Sequence, residues 1–112
     1  MTEKIPSESH EQMLFVQWFK RTYPTVKIMS IPNGGHRHIA VAARMKAEGQ
    51  SAGAPDIFIP AWNLWIEFKR IKGGTVSAAQ KDWIEYLKGV GHGVIVGRGF
   101  EDAKQQVMLA AC

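Results

Sequence analysis

Only one cysteine occurs in the 112 residues, Cys112 at the last position. A disulfide framework and a cysteine-based zinc site both need several cysteines at defined spacings, so neither can be drawn, and a reducing compartment is compatible. Long apolar runs are also missing, since no stretch approaches the ~20 residues that a membrane span requires. The opening MTEKIPSESHEQ is polar and mixed in charge where a secretory signal would need an apolar core. A cytoplasmic, non-membrane protein is the resulting expectation. Internal repeats, low-complexity stretches and linkers are absent as well, and 112 residues suffice for one modest core, so one domain over 1–112 is expected. Acidic excess is lacking too: fourteen Lys and Arg against ten Asp and Glu leave +4. That balance suits a polyanionic partner without requiring one.

Apolar spacing supplies the elements. From Ser9 to Tyr23, Leu14, Phe15, Trp18 and Phe19 recur on one helical face, and Pro24 ends the run. Val26 to Ile31 reads as a strand closed by Pro32, Asn33, Gly34 and Gly35. His38 to Glu48 holds good helix formers, with Gly49 as its C-terminal cap and a less buried face of Ile39, Ala42, Ala43 and Lys46. A hairpin and the glycines Gly73 and Gly74 follow. SAAQKDWIEYLKG then aligns Gln80, Trp83, Ile84 and Leu87 on a third helix. GVIVG, residues 93 to 97, reads as a strand buried on both faces, and residues 100 to 109 as a closing helix. The pattern implies an α/β chain, a mixed sheet flanked by helices.

Within the hairpin GAPDIFIPAWNLWIEFKR, residues 53 to 70, charges sit among apolar residues. A turn around Pro60 to Asn63 sets Ile59 opposite Leu64, Phe58 opposite Trp65, Ile57 opposite Ile66 and Asp56 opposite Glu67. Side chains alternate along a strand, so Ile57, Ile59, Leu64, Ile66 and Phe68 share the core face, while Asp56, Phe58, Trp65, Glu67 and Lys69 share the other. Two carboxylates facing each other across a strand pair repel. A divalent cation offsets that repulsion, because Mg²⁺ is commonly held by one or two carboxylates together with water and phosphate. Lys69 follows Glu67 at roughly 6.5–7 Å along the strand and reaches the same cavity. Paired carboxylates, a lysine and a basic surface suit phosphodiester hydrolysis, with Lys69 positioning the attacking water or neutralising charge on the phosphate. The alternative is a turn residue at Asp56 and a solvated edge at Glu67 and Lys69, without chemistry. Phe58 and Trp65 on the same face favour the first reading, because they imply a covered face.

Pro55 and Asp56 followed by Glu67, Phe68 and Lys69 resemble the PD-(D/E)XK nuclease signature. The ordered set of EQ in the first helix, IPNGG, G-x-P-D, IEFK and Q-x-x-W resembles more narrowly the VRR-NUC (virus-type replication-repair nuclease) branch, over about Glu11 to Val96. That resemblance implies a restriction-endonuclease-like core with helices flanking a four-stranded mixed sheet, His38 to Glu48 being an insertion after the first strand. It implies Glu11 as a further acid and metal ligand, with Glu8 as its rival, the backbone carbonyl of Phe68 as another ligand, and Gln80 as a site residue. Ser77 and Gln80 also form an S-x-x-Q capping box, which explains both without catalysis. A Mg²⁺- or Mn²⁺-dependent endonuclease is implied, a homodimer acting on branched DNA such as four-way (Holliday) junctions in a bacterial or phage-infected cell. A non-catalytic DNA-binding or assembly module on the same scaffold, or a nuclease acting on RNA, remains open.

Asn33 with Gly34 and Gly35 is a turn that could approach DNA closely or an ordinary Asn-Gly turn. Arg37, Arg44, Lys46, Arg70, Lys72 and Lys81 flank the proposed site in sequence and are candidate phosphate contacts, which position a substrate without reading its sequence. His36 and His38 lack the further ligands that zinc requires. His10 and His92 have no neighbours suggesting a catalytic base. Trp62, at the hairpin tip, is a stacking or subunit-contact candidate beside simple local packing.

Overall fold

The computed structural model describes residues 4–32 and 38–111. Along the chain run α1 (Glu8–Thr22), β1 (Met29–Ser30), α2 (Ile39–Ala47), β2 (Ile57–Ile59), β3 (Leu64–Lys69), α3 (Ala78–Gly89), β4 (Gly93–Arg98) and α4 (Phe100–Ala110), with a 3₁₀ turn, Pro60–Trp62, inside the hairpin. The four strands form one sheet in the order β1-β2-β3-β4. The first two pairings are antiparallel and β3 pairs parallel to β4, which requires the α3 crossover. The mixed sheet and its flanking helices are those expected.

Capping and burial explain why these segments form. Ser7 begins α1 by accepting a hydrogen bond from the His10 N–H at 3.1 Å. Glu8 and Glu11 lie in its first turn and Lys20 and Arg21 in its last, each sign complementing the helix dipole there. Glu11, Phe15 and Phe19 face inward, one turn apart, whereas Leu14 is exposed. Phe15, Phe19, Ile57, Ile59, Ile66, Phe68, Ala103 and Val107 are sealed from solvent between α1, α4 and one face of the sheet. Burying each large apolar side chain contributes about 1.5–3 kcal/mol. The ring contacts Phe15–Phe68 at 5.4 Å and Phe19–Trp62 at 5.4 Å tie α1 to the hairpin. Gly97 lets α4 lie close on β4, for a Cβ there would come within 2.7 Å of the Ala103 Cβ.

Two strand expectations need correction. The strand expected over 26–31 pairs only at Met29–Ser30. Val26 and Ile28 pack on the core instead, so their β-branched character reflects half-buried packing more than ladder pairing. The Ile31 N–H still donates to the Asp56 carbonyl at 2.8 Å, which fastens the start of the hairpin to this short edge. β4 is not buried on both faces. It is an edge strand in which Ile95 and Gly97 are buried while Val94 and Val96 are only half-buried, because α3 covers that side incompletely. As expected, α2 has no buried residue.

Candidate active site

The hairpin pairs Ile57 with Ile66, Phe58 with Trp65 and Ile59 with Leu64, the register that the alternation of apolar residues requires. Asn63 closes the turn in the left-handed conformation, φ 51°, which asparagine tolerates better than most residues. Asp56 precedes β2 by one residue, and its Oδ2 accepts the Phe68 N–H at 2.7 Å. This bond continues the ladder through a side chain and clamps the acid onto β3. Glu67 is 2% exposed and Lys69 6%. The polar face of the hairpin is therefore covered, and the solvated-edge alternative does not describe it.

Around Glu67 the partners are few. Lys69 Nζ lies 3.9 Å from Glu67 Oε2, and Gln80 Nε2 donates to the same oxygen at 3.4 Å. Glu67 Oε1 is buried and has no hydrogen-bond partner among the described residues. Burial above all, and then the neighbouring Asp56 carboxylate, push the Glu67 carboxyl up from 4.5 to about 9, against the opposing pull of Lys69, and the Glu8 charge adds to the rise. A proton on Glu67 would give it a donor toward Asp56, as when two close carboxylates share one proton.

Gln80 resolves two readings into one. Its Oε1 accepts the Ser77 N–H at 2.8 Å while Ser77 Oγ accepts the Gln80 N–H at 3.2 Å, a complete capping box. Because the box uses the amide oxygen, the amide nitrogen is left to point at Glu67. Capping the helix and facing the site are thus the same orientation of one side chain.

The α1 acids divide. Glu8 acts electrostatically on Glu67, whereas Glu11 is buried with Oε1 about 3.0 Å from where a Cβ on Gly99 would stand, beside Ile71. Among the described residues no set of three or more His, Cys, Asp and Glu side chains is arranged to hold a metal ion. The Phe68 N–H points toward Asp56, and the N–H and C=O of one strand residue face the same edge, so the Phe68 carbonyl is directed to that side too. The donors on offer are all oxygens, two carboxylates and a carbonyl, and one carboxylate oxygen is buried without a partner. Such a set fits Mg²⁺ or Mn²⁺ completed by water and phosphate, and not a closed all-protein cage.

Loops on either side hold the charged residues in place. Gly53, at φ +87°, packs so tightly on α3 that a Cβ would stand 2.7 Å from the Ala79 backbone carbon. The glycine of G-x-P-D thus sets Asp56 against the helix that carries Gln80. Gly53→Ala is expected to cost at least about 2 kcal/mol, read as a lower urea midpoint. An unchanged midpoint would show the close approach to be dispensable. On the other side Gly74 lies over Lys69, a Cβ there falling 3.4 Å from the Lys69 Cβ, and Arg98 Nη1 donates to the Gly74 carbonyl at 2.7 Å. The sequence marked Gly73 and Gly74 only as a break, and Arg98 gave no signal.

Of the candidate phosphate contacts, Asn33 and Arg37 lie outside the described residues, as do Gly34, Gly35 and His36. Arg44, Lys46, Arg70, Lys72 and Lys81 are exposed. Arg44 approaches Glu48 at 3.9 Å on the surface, and Arg70 donates to the Ile5 carbonyl at 3.4 Å. Trp62 packs locally, edge-on to Tyr23 at 4.9 Å. His38 caps α2, its Nδ1 accepting the Ala40 N–H. His92 Nδ1 accepts from Trp65 Nε1 at 2.8 Å, a structural partnership that the sequence did not show.

No protein-family profile and no curated protein matches the chain. A solved structure described as a VRR_NUC domain protein superposes with a TM-score of 0.75 at 27% identity, covering 94% of this chain and 88% of that one. In fold and in the order of its motifs, the chain is therefore similar to a VRR_NUC domain.

Proposed function

We propose that the protein is a metal-dependent endonuclease that hydrolyses DNA phosphodiester bonds. The observation that carries this reading is Glu67: buried, facing Asp56 and in contact with Lys69 and Gln80, with one oxygen unpartnered. Burying a carboxylate beside another one is costly unless a cation or a proton completes the site. Asp56, Glu67 and the Phe68 carbonyl would hold Mg²⁺ or Mn²⁺. Bound there, the cation would polarise the phosphate and lower the pKa of a nearby water. Gln80 fixes the orientation of Glu67 through a helix cap that does not depend on substrate. Lys69, its stem enclosed by the Gly74 loop, holds its ammonium where it can orient water or meet charge growing on the phosphate. Exposed Arg44, Arg70, Lys72 and Lys81 contribute affinity through phosphates and hence a steep salt dependence.

The resemblance to VRR-NUC chains supports a homodimer acting on branched DNA, since two sites related by a two-fold axis can cut symmetric strands. The test is cleavage of four-way junction, flap, single-stranded, linear duplex and RNA substrates with Mg²⁺ or Mn²⁺, by wild type and Asp56→Asn, with light scattering for the assembly. Metal-dependent cutting that Asp56→Asn abolishes is the expected result. DNA binding without cutting of any substrate would move the reading to a non-catalytic module.

A further inference from the structure

A groove of about 400 Å³ is lined by Pro32, Met45, Gln50, Ala54, Trp65 and Trp83 among others. Three elements each send one residue to the groove and one to the site. From β3 come Trp65 and, two residues on along the same face, Glu67, roughly 6.5–7 Å further along the strand. From α3 come Trp83 and, about one turn earlier, Gln80, a spacing that places them as surface neighbours. The loop before β2 gives Ala54 and then Asp56. Groove and carboxylates are therefore separated by a step of the order that one nucleotide spans from its phosphate to its base.

The lining favours a flat, uncharged guest. Trp65 is fixed, stacked on Phe58 with centroids 4.2 Å apart and 27° between planes, and tied to His92 by its Nε1. Trp83 is half-buried, with Tyr86 edge-on at 6.1 Å. Among the described residues of the lining Glu48 is the one that is charged, and Arg44 approaches its carboxylate at 3.9 Å. An anionic phosphate gains nothing inside such a groove, whereas a base gains ring contact with tryptophan. A base stacked within a duplex is out of reach, and one without a partner costs least to bring in.

We infer that the groove receives an unpaired nucleobase adjoining the scissile phosphate, so that the enzyme reads local loss of base pairing. The inference rests on the nuclease reading above and names the feature of the substrate that this site selects. The test uses two DNA duplexes that carry 2-aminopurine at one position near the cut and differ only in whether that base is paired. Wild type, Trp83→Ala and Trp83→Phe are compared. In EDTA, wild type is expected to quench the unpaired fluorophore, Trp83→Ala to lose the quenching and Trp83→Phe to keep it. With Mg²⁺, wild type is expected to cut the unpaired substrate at least about tenfold faster than the paired one. In Trp83→Ala that ratio should fall toward one, with Trp83→Phe restoring most of it. A ratio that stays at the wild-type value in Trp83→Ala, or equal cutting of both substrates by wild type, would overturn the subsite and leave the nuclease standing. If wild type cuts neither, the nuclease reading fails. In that event, quenching lost in Trp83→Ala still upholds the stacking site on a binding module, and no quenching by wild type overturns it.

Discussion

Replacing Lys69 by methionine is expected to lower cleavage by about 10²- to 10³-fold, the usual effect of removing one preorganised group from a transition state. Methionine keeps the stem that Gly74 packs against and removes only the ammonium, so the urea midpoint should move little. Lys69→Ala should lose activity equally but also some stability, because it empties part of an enclosed site. The pair of variants separates chemistry from packing. Lys69 is 6% exposed, and an ammonium buried to that degree is retained where a charge is required. The 3.9 Å approach to Glu67 supplies one partner, and an ammonium has three donors, so the proposed role gives the others to water or substrate phosphate. If Lys69→Met cuts at the wild-type rate in saturating Mg²⁺, the lysine serves only to offset the carboxylates. Titration with Mg²⁺ adds a second readout. A water-positioning lysine leaves the half-saturating concentration of cation nearly unchanged, whereas a residue needed to build the cation site would raise it.

The hairpin was legible because its physics is local. A strand has a period of two, one face had to be apolar, and a tight turn at Pro60 to Asn63 left a single register that buries Ile57, Ile59, Leu64, Ile66 and Phe68 together. Asp56, Glu67 and Lys69 followed onto the other face. Gln80 could be seen as a cap and as a site residue, but the sequence could not show that one amide does both, because this depends on α3 starting directly over Glu67. The choice between Glu8 and Glu11 was illegible for a similar reason. The two lie one turn apart on α1, and what separates them comes from far along the chain, where Gly99 and Ile71 stand beside Glu11 alone. β1 and β4 misled because a run of Val and Ile signals burial and says nothing about how many residues pair or whether a helix covers the second face. The role of Arg98 in fastening Gly74 depends on the parallel pairing that sets Arg98 beside Lys69, a contact between distant segments with no local trace.

Glu67→Gln is expected to raise the melting temperature of the metal-free protein at pH 8 by at least about 5 °C while abolishing cleavage. The folded protein holds a proton on Glu67 up to about pH 9, whereas the unfolded chain releases it near 4.5. Between those values the native state binds one proton more than the unfolded state, so unfolding is favoured as pH rises. Stability from this group is therefore fully present below pH 4.5 and is lost progressively toward pH 9. Glutamine is neutral throughout, can donate to Asp56 as the protonated acid does, and removes that slope. A change of about 1 kcal/mol corresponds to roughly 4–8 °C in a domain of this size, which sets the expected scale. A divalent cation acts in the opposite direction, since it binds the ionised pair. In wild type, added Mg²⁺ should raise the melting temperature more at pH 8 than at pH 5, where it must displace the proton, and in Glu67→Gln it should do little at either pH. If the metal-free wild type melts at the same temperature from pH 5 to pH 9, and Glu67→Gln leaves that temperature unchanged, Glu67 is ionised and satisfied in the free protein. The case for a cation as the missing partner of its Oε1 would then fall.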